Sequence, residues 1–96
     1  MAESEVFQRA LSLSDYHKKQ AIKLYDEEIE NNPKNMAAFQ NRGLCKLKIA
    51  IEEKNIEILE DSKVDLKKAI DLAKERGDNF PIAQANLKWA EETKIE

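Results

Sequence analysis

Apolar residues recur at three- and four-residue intervals along most of this chain, the spacing of amphipathic helices. Val6, Phe7, Ala10 and Leu11 set such a stripe over Ser4 to Leu13. Ser14-Asp15 is a capping pair, and a second helix follows to about Asn31 with Ala21, Ile22, Leu24, Tyr25 and Ile29 on its apolar side. Asn31-Asn32-Pro33 ends it, because the residue before proline is pushed out of the helical region. Asn35 is the next N-cap. It opens a third helix, Met36 to about Lys54, with Phe39, Leu44, Cys45, Leu47 and Ile49 as apolar members. The fourth runs from about Asn55 to Arg76 with Ile58, Leu59, Val64, Leu66, Ala69, Ile70 and Leu72, and Gly77 is its natural stop. Pro81 suits the first turn of a fifth helix, Pro81 to Lys94, carrying Ile82, Ala85, Leu87 and Trp89. No stretch alternates with period two, so no strand is predicted.

Gly43 falls inside the third helix, where glycine costs about 1 kcal/mol against alanine. Close approach of a partner helix is the packing reason it predicts.

The spacing Ala21-x3-Tyr25, then Pro33, then Phe39, Asn41 and Gly43, then Ala69, resembles the tetratricopeptide repeat. That family builds helix-turn-helix units of about 34 residues. The first unit keeps Ala21, Tyr25 and Pro33, with Glu28 at a usually small position. The second keeps Phe39, Asn41, Gly43 and Ala69 and departs at Arg42, Lys46 and Ser62. It also carries about seven more residues between Gly43 and Ser62 than the family spacing. Seven residues are about two helical turns, so each helix lengthens by one turn with the same face buried. The third and fourth helices are therefore expected to form an antiparallel hairpin projecting about one turn beyond the first hairpin, the alternative being a loose loop near Glu52 to Asn55. Ala83-x-x-Asn86-Leu87-x-x-Ala90 reads as the opening helix of a third unit. The resemblance implies an all-α domain over residues 1–96: five antiparallel helices, stacked as two such units plus a C-terminal capping helix.

Ninety-six residues suffice for one domain with a modest core. A net charge of −3 gives no basic field for a phosphate backbone, which argues against nucleic acid. No apolar run nears the roughly 20 residues of a membrane span. The acidic Met-Ala-Glu-Ser-Glu start lacks the pattern of a secretory signal, and a single cysteine suits a reducing interior. A cytoplasmic protein is the expectation.

Candidate chemistry is sparse. One histidine, His17, and one cysteine, Cys45, are too few for a zinc site. Cys45 reads as a buried small hydrophobe and His17 as a surface residue. Glu27-Glu28, Glu52-Glu53 and Glu91-Glu92 are adjacent on helices and point apart, so they read as solvated faces rather than acid–base pairs. There is no glycine-rich phosphate loop, so neither an enzyme nor a cofactor is expected.

In the family this chain resembles, the first helix of each unit lines a concave, ligand-binding face. The matching residues are Ala37, Gln40, Asn41, Leu44 and Lys48 on the third helix, and Ile82, Ala85, Asn86 and Trp89 on the fifth. Asparagine offers donors and acceptors to a peptide backbone. Two other roles stay open: Asn41 bridging helices, and Trp89 covering the end of the stack. The carboxylate clamp by which one sub-type holds chaperone tails needs two asparagines, two lysines and an arginine. Only Asn41 matches, and Gln8, Ser12 and Ala85-Asn86 stand at the other places, so that ligand is not expected.

The resemblance therefore implies a non-enzymatic adaptor or subunit holding a segment of another protein. Its stack is short of the three units such folds usually need, so a second copy or a partner would complete it. A small acidic inhibitor, covering a toxin or enzyme as immunity proteins do, is the alternative reading.

Overall fold

The computed structural model describes residues 15–95, and these are wholly helical apart from short connections. Helix α1 spans Asp15–Asn31, α2 Met36–Glu53, α3 Ile56–Glu75 and α4 Pro81–Glu92. The predicted Ser4–Leu13 helix, its Ser14 cap and the relative reach of the first hairpin lie outside the described residues. Among the described residues no helix is long and apolar enough to cross a membrane.

Local chemistry sets each boundary. Asn32 Oδ1 accepts from the Lys34 amide at 3.2 Å, turning the chain after α1. Asn35 and Asn55 are N-caps whose side-chain oxygens accept from Ala38 and Ile58 amides, each at 3.1 Å. Only Lys54 and Asn55 join α2 to α3, so the Glu52 to Asn55 stretch is a tight hairpin turn and not a loose loop. Lys54 takes the left-handed conformation, φ 53° and ψ 47°, and its amide and that of Asn55 both reach the Ala50 carbonyl. α3 ends at Gly77 with φ 76°. There the Gly77 amide reaches the Lys74 carbonyl and the Asp78 amide reaches that of Ala73, both at 2.9 Å. This pair of bonds is the Schellman motif, which glycine adopts without strain. Pro81 begins α4, where its missing amide proton is no loss.

The helices pack in chain order, α2 and α3 forming the broadest pairing and α4 lying mainly on α3 while touching α2. One core cluster joins Phe39, Ala69, Ile70, Leu72 and Ala83, with Ile29, Met36, Phe80 and Leu87 around it. A second joins Leu47, Ala50, Leu59, Leu66 and Ala90. A third, between α1 and α2, holds Tyr25 and Cys45 with Ala21, Ile22 and Leu44. Two apolar residues assigned to buried stripes fall elsewhere: Leu24 is 61% and Val64 65% exposed. In α3 it is Asp65 that faces inward, with Ser62 and Leu66, which carries Val64 to the outer side.

The α2–α3 seam depends on Gly43. A Cβ there would sit 2.8 Å from Leu66 Cγ and 3.1 Å from the Ser62 carbonyl oxygen. Ser62 is itself fully buried and turns its hydroxyl onto the Leu59 carbonyl at 2.6 Å. Beside this seam lies a partly buried ionic network centred on Asp65. Arg42 donates to both carboxylate oxygens of Asp65, from Nε at 2.8 Å and Nη2 at 2.7 Å. Its Nη1 reaches Asp26 of α1 at 2.8 Å. Lys46 Nζ adds a second cation 3.1 Å from Asp65 Oδ2. One guanidinium thus ties three helices, and its hydrogen bonds to Asp65 hold its proton more tightly still, against the opposing effect of burial.

Two outcomes follow from these packings. Gly43→Leu should lower stability by about 1–3 kcal/mol through overpacking against Leu66 and Ser62, measured as a shift in urea midpoint. A variant as stable as the parent would contradict the seam. Asp65→Asn keeps the shape and removes the charge, leaving Arg42 and Lys46 without their buried counter-ion. Breaking a buried pair costs about 3–5 kcal/mol, and the lower figure is expected because Arg42 keeps Asp26.

Candidate partner-binding surface

Helix α2 is flanked by α1 on one side and α3 on the other, and the arc between them determines what it shows to solvent. At about 100° per residue, Ala37, Asn41, Leu44, Lys48 and Ile51 fall on one side. Ala37 and Ile51 are exposed, and Asn41, Leu44 and Lys48 are half-buried. Gln40 is a correction: it is 4% exposed and cannot line an open groove. It stands seven residues, about two turns, before Leu47, which is fully enclosed, so the same line of the helix is turned inward.

Helix α4 buries Ala83, Leu87 and Ala90 to differing degrees and leaves Ile82 and Trp89 largely open. Ala83 and Ala90 are completely covered, and Leu87 packs beside them between the two larger clusters. Ile82 is 63% and Trp89 43% exposed, Ala85 is exposed, and Asn86 is half-buried at the edge. Trp89 is thus part covered and part open. Among the described residues, neither the Asn41 amide nor that of Asn86 makes a hydrogen bond.

The residues following the C-terminal ends of α2 and α4 come together at one end of the bundle. There Ile51, Lys54, Thr93, Lys94 and Ile95 line a shallow pocket of about 240 Å³. Thr93 is fixed beside Trp89, its hydroxyl donating to the Trp89 carbonyl at 2.7 Å. These pocket residues were not among the sequence candidates. The signal was present: Ile51 continues Leu44 and Lys48 at i+7 and i+3.

Residues with tempting chemistry occupy structural places. Cys45 is completely buried, and burial pushes its thiol up to about 12 despite the opposing charges of Lys48 and Lys18. The paired glutamates are all exposed. Two of them clip α1 to α2: Glu52 takes the buried ammonium of Lys18, and Glu53 lies 3.3 Å from Lys19. Sequence reasoning had no signal for Lys18, whose burial rests on a partner thirty-four residues away. Among the described residues, no three His, Cys, Asp or Glu side chains cluster as a metal site would require.

No family model, curated protein sequence or solved structure matches this chain.

The buried thiol gives stability a defined alkaline dependence. Below its ordinary value of 9.0, Cys45 is protonated in both folded and unfolded states and its contribution is whole. Above that value the unfolded chain releases the proton while the folded chain holds it to about 12, so stability falls as pH rises across this window. Tyr25, raised chiefly by burial, adds to the fall above its ordinary 10.0. Urea midpoints at pH 8, 10 and 11 should show a shallower decline for Cys45→Ala than for the parent; parallel declines would refute the assignment.

Proposed function

We propose that this chain is a non-enzymatic protein-binding module, built as a tetratricopeptide-like stack of two helical hairpins and a closing helix. It holds a segment of a partner protein in the groove between α2 and α4. The observation that carries the reading is the orientation of α4. Its only large aromatic, Trp89, is left 43% exposed beside Ile82, while alanines fill the core side. Tryptophan on a helix beside half-buried Asn86 suits a binding hot spot, where an apolar anchor is surrounded by polar edges. The antiparallel α2–α3 hairpin, Gly43 at its seam and α4 packed on α3 while touching α2 support the repeat-like stacking. Ala37, Asn41, Leu44, Lys48, Ile82, Ala85, Asn86 and Trp89 remain the contact set.

Trp89→Ala separates binding from packing. A contact role gives a melting temperature near the parent's and a loss of partner affinity of about 2 kcal/mol or more. A core role gives a loss of stability of about 3–5 kcal/mol instead. Proteins retained on the immobilised parent and lost from the equally stable variant would support the groove. Early melting of the variant, or undiminished capture, would remove Trp89 from it. Capture of one basic toxin or nuclease would point to the inhibitor reading.

A further inference from the structure

We propose that the end of the bundle at the α2–α3 turn joins a second copy of this chain about a two-fold axis. Ile56 of each copy enters the hollow between Ile51 and Ile95 of the other. This face lies outside the groove contact set and does not rest on it. Two hollows meet at this end. One, of about 240 Å³, is lined by Ile51, Lys54, Thr93, Lys94 and Ile95. The other, of about 420 Å³, is lined by Glu53, Lys54, Asn55, Ile56 and Glu57. Lys54 borders both, so the hollows lie side by side. Ile51 is 39% and Ile56 57% exposed, and half-buried Ile95 packs with Ile58 against the second core cluster.

The arrangement of charge selects the occupant. Lys94 borders the first hollow, Glu53 and Glu57 border the second, and Lys54 stands on the ridge between them. Glu53 is already engaged, 3.3 Å from Lys19 of α1. Neither Lys94 nor Glu57 lies within 4.0 Å of an opposite charge among the described residues. The last turn of α4 adds exposed Glu91 and Glu92, so no single sign dominates this end. Such a face suits neither a strongly acidic nor a strongly basic partner, but it is complementary to itself. In an isologous contact, a two-fold axis along the Lys54 ridge lays each side of the face on the opposite side of its copy. Lys94 then meets Glu57 of the other copy, and exposed Ile56 meets the Ile51–Ile95 hollow, each twice by symmetry. Lys54 lies near the axis with Glu53 and Glu57 beside it, so the centre does not hold two bare cations. Two shallow hollows make a small contact, which implies a weak dimer that dissociates on dilution.

Sedimentation velocity over a concentration series of the full chain tests this. The parent should pass from monomer to dimer as concentration rises, and Ile56→Ser should stay monomeric. Lys94→Glu and Glu57→Lys should each weaken self-association about tenfold or more, because like charges then face each other at both contacts. Mixing these two variants should restore the dimer, since each supplies the charge the other lacks. All three positions are exposed, two in the first turn of α3 and one beyond α4, and circular dichroism checks that the variants fold. If Glu57→Lys does not fold, Ile56→Ser and Lys94→Glu carry the test. A parent monomeric at every concentration would overturn the proposal. So would a dimer indifferent to Ile56→Ser and to both reversals, or folded variants that fail to associate on mixing. Open-ended polymers would overturn the two-fold contact, and a dimer lost with Trp89→Ala but kept with Ile56→Ser would overturn this face.

Discussion

A carboxylate sealed between two helices keeps its charge only if cations are sealed in with it, and Asp65 is 3% exposed. That requirement fixes the rotation of three helices at once. Arg42 must face α3 to make its paired bonds to Asp65, and it must lie near enough to α1 to reach Asp26. With Arg42 so placed, Gly43, the next residue, falls on the seam and admits Leu66 and the Ser62 backbone. The ion pairs add little net stability over an apolar filling of the same shape. Their consequence is geometric: any other rotation of α3 would bury Asp65 without Arg42 and Lys46. Arg42 and Lys46 are also two of the positions where the sequence departs from the tetratricopeptide pattern. Both of these cations are balanced by Asp65.

What could be read from the sequence follows the range of the forces involved. Helix ends were legible because capping is local: Asn35, Asn55, Gly77 and Pro81 act on amides or carbonyls within a few residues. Gly43 was legible because a mid-helix glycine is costly and so signals contact. Leu24, Val64 and Gln40 were misplaced for a common reason. Hydropathy assigns a side chain to the inside or the outside singly, whereas rotation of the whole helix is decided by its strongest tertiary partner. In α3 that partner is Arg42, which turns Asp65 inward and Val64 out. In α2 the line of Leu47 is buried, and Gln40 goes with it.

The candidate surface was legible to the same extent and for the same reason. Eight of its nine residues lie on partly or fully open sides of α2 and α4, because a stripe opposite the packed faces is the local complement of the core pattern. Gln40 failed because it sits at the edge, where one position of rotation separates groove from core. The pocket at the helix ends was missed because it is made by two segments forty residues apart, Ile51–Lys54 and Thr93–Ile95, neither of which is distinctive alone.

Rigidity connects the core to the surface. Helix α2 is clipped to α1 by Lys18–Glu52 and Lys19–Glu53 near its end, joined to α3 by a two-residue turn, and pinned at its middle by Arg42. Side chains on its open arc therefore stand on a backbone with little freedom left to lose. Binding a flexible segment costs ordering entropy, and a surface already ordered confines that cost to the segment. Trp89 adds a side chain with only two rotatable angles, steadied at its carbonyl by Thr93. A short helical stack of this kind offers little area, so the proposed groove depends on such preformed anchors, and the network that holds Asp65 is what keeps them in place.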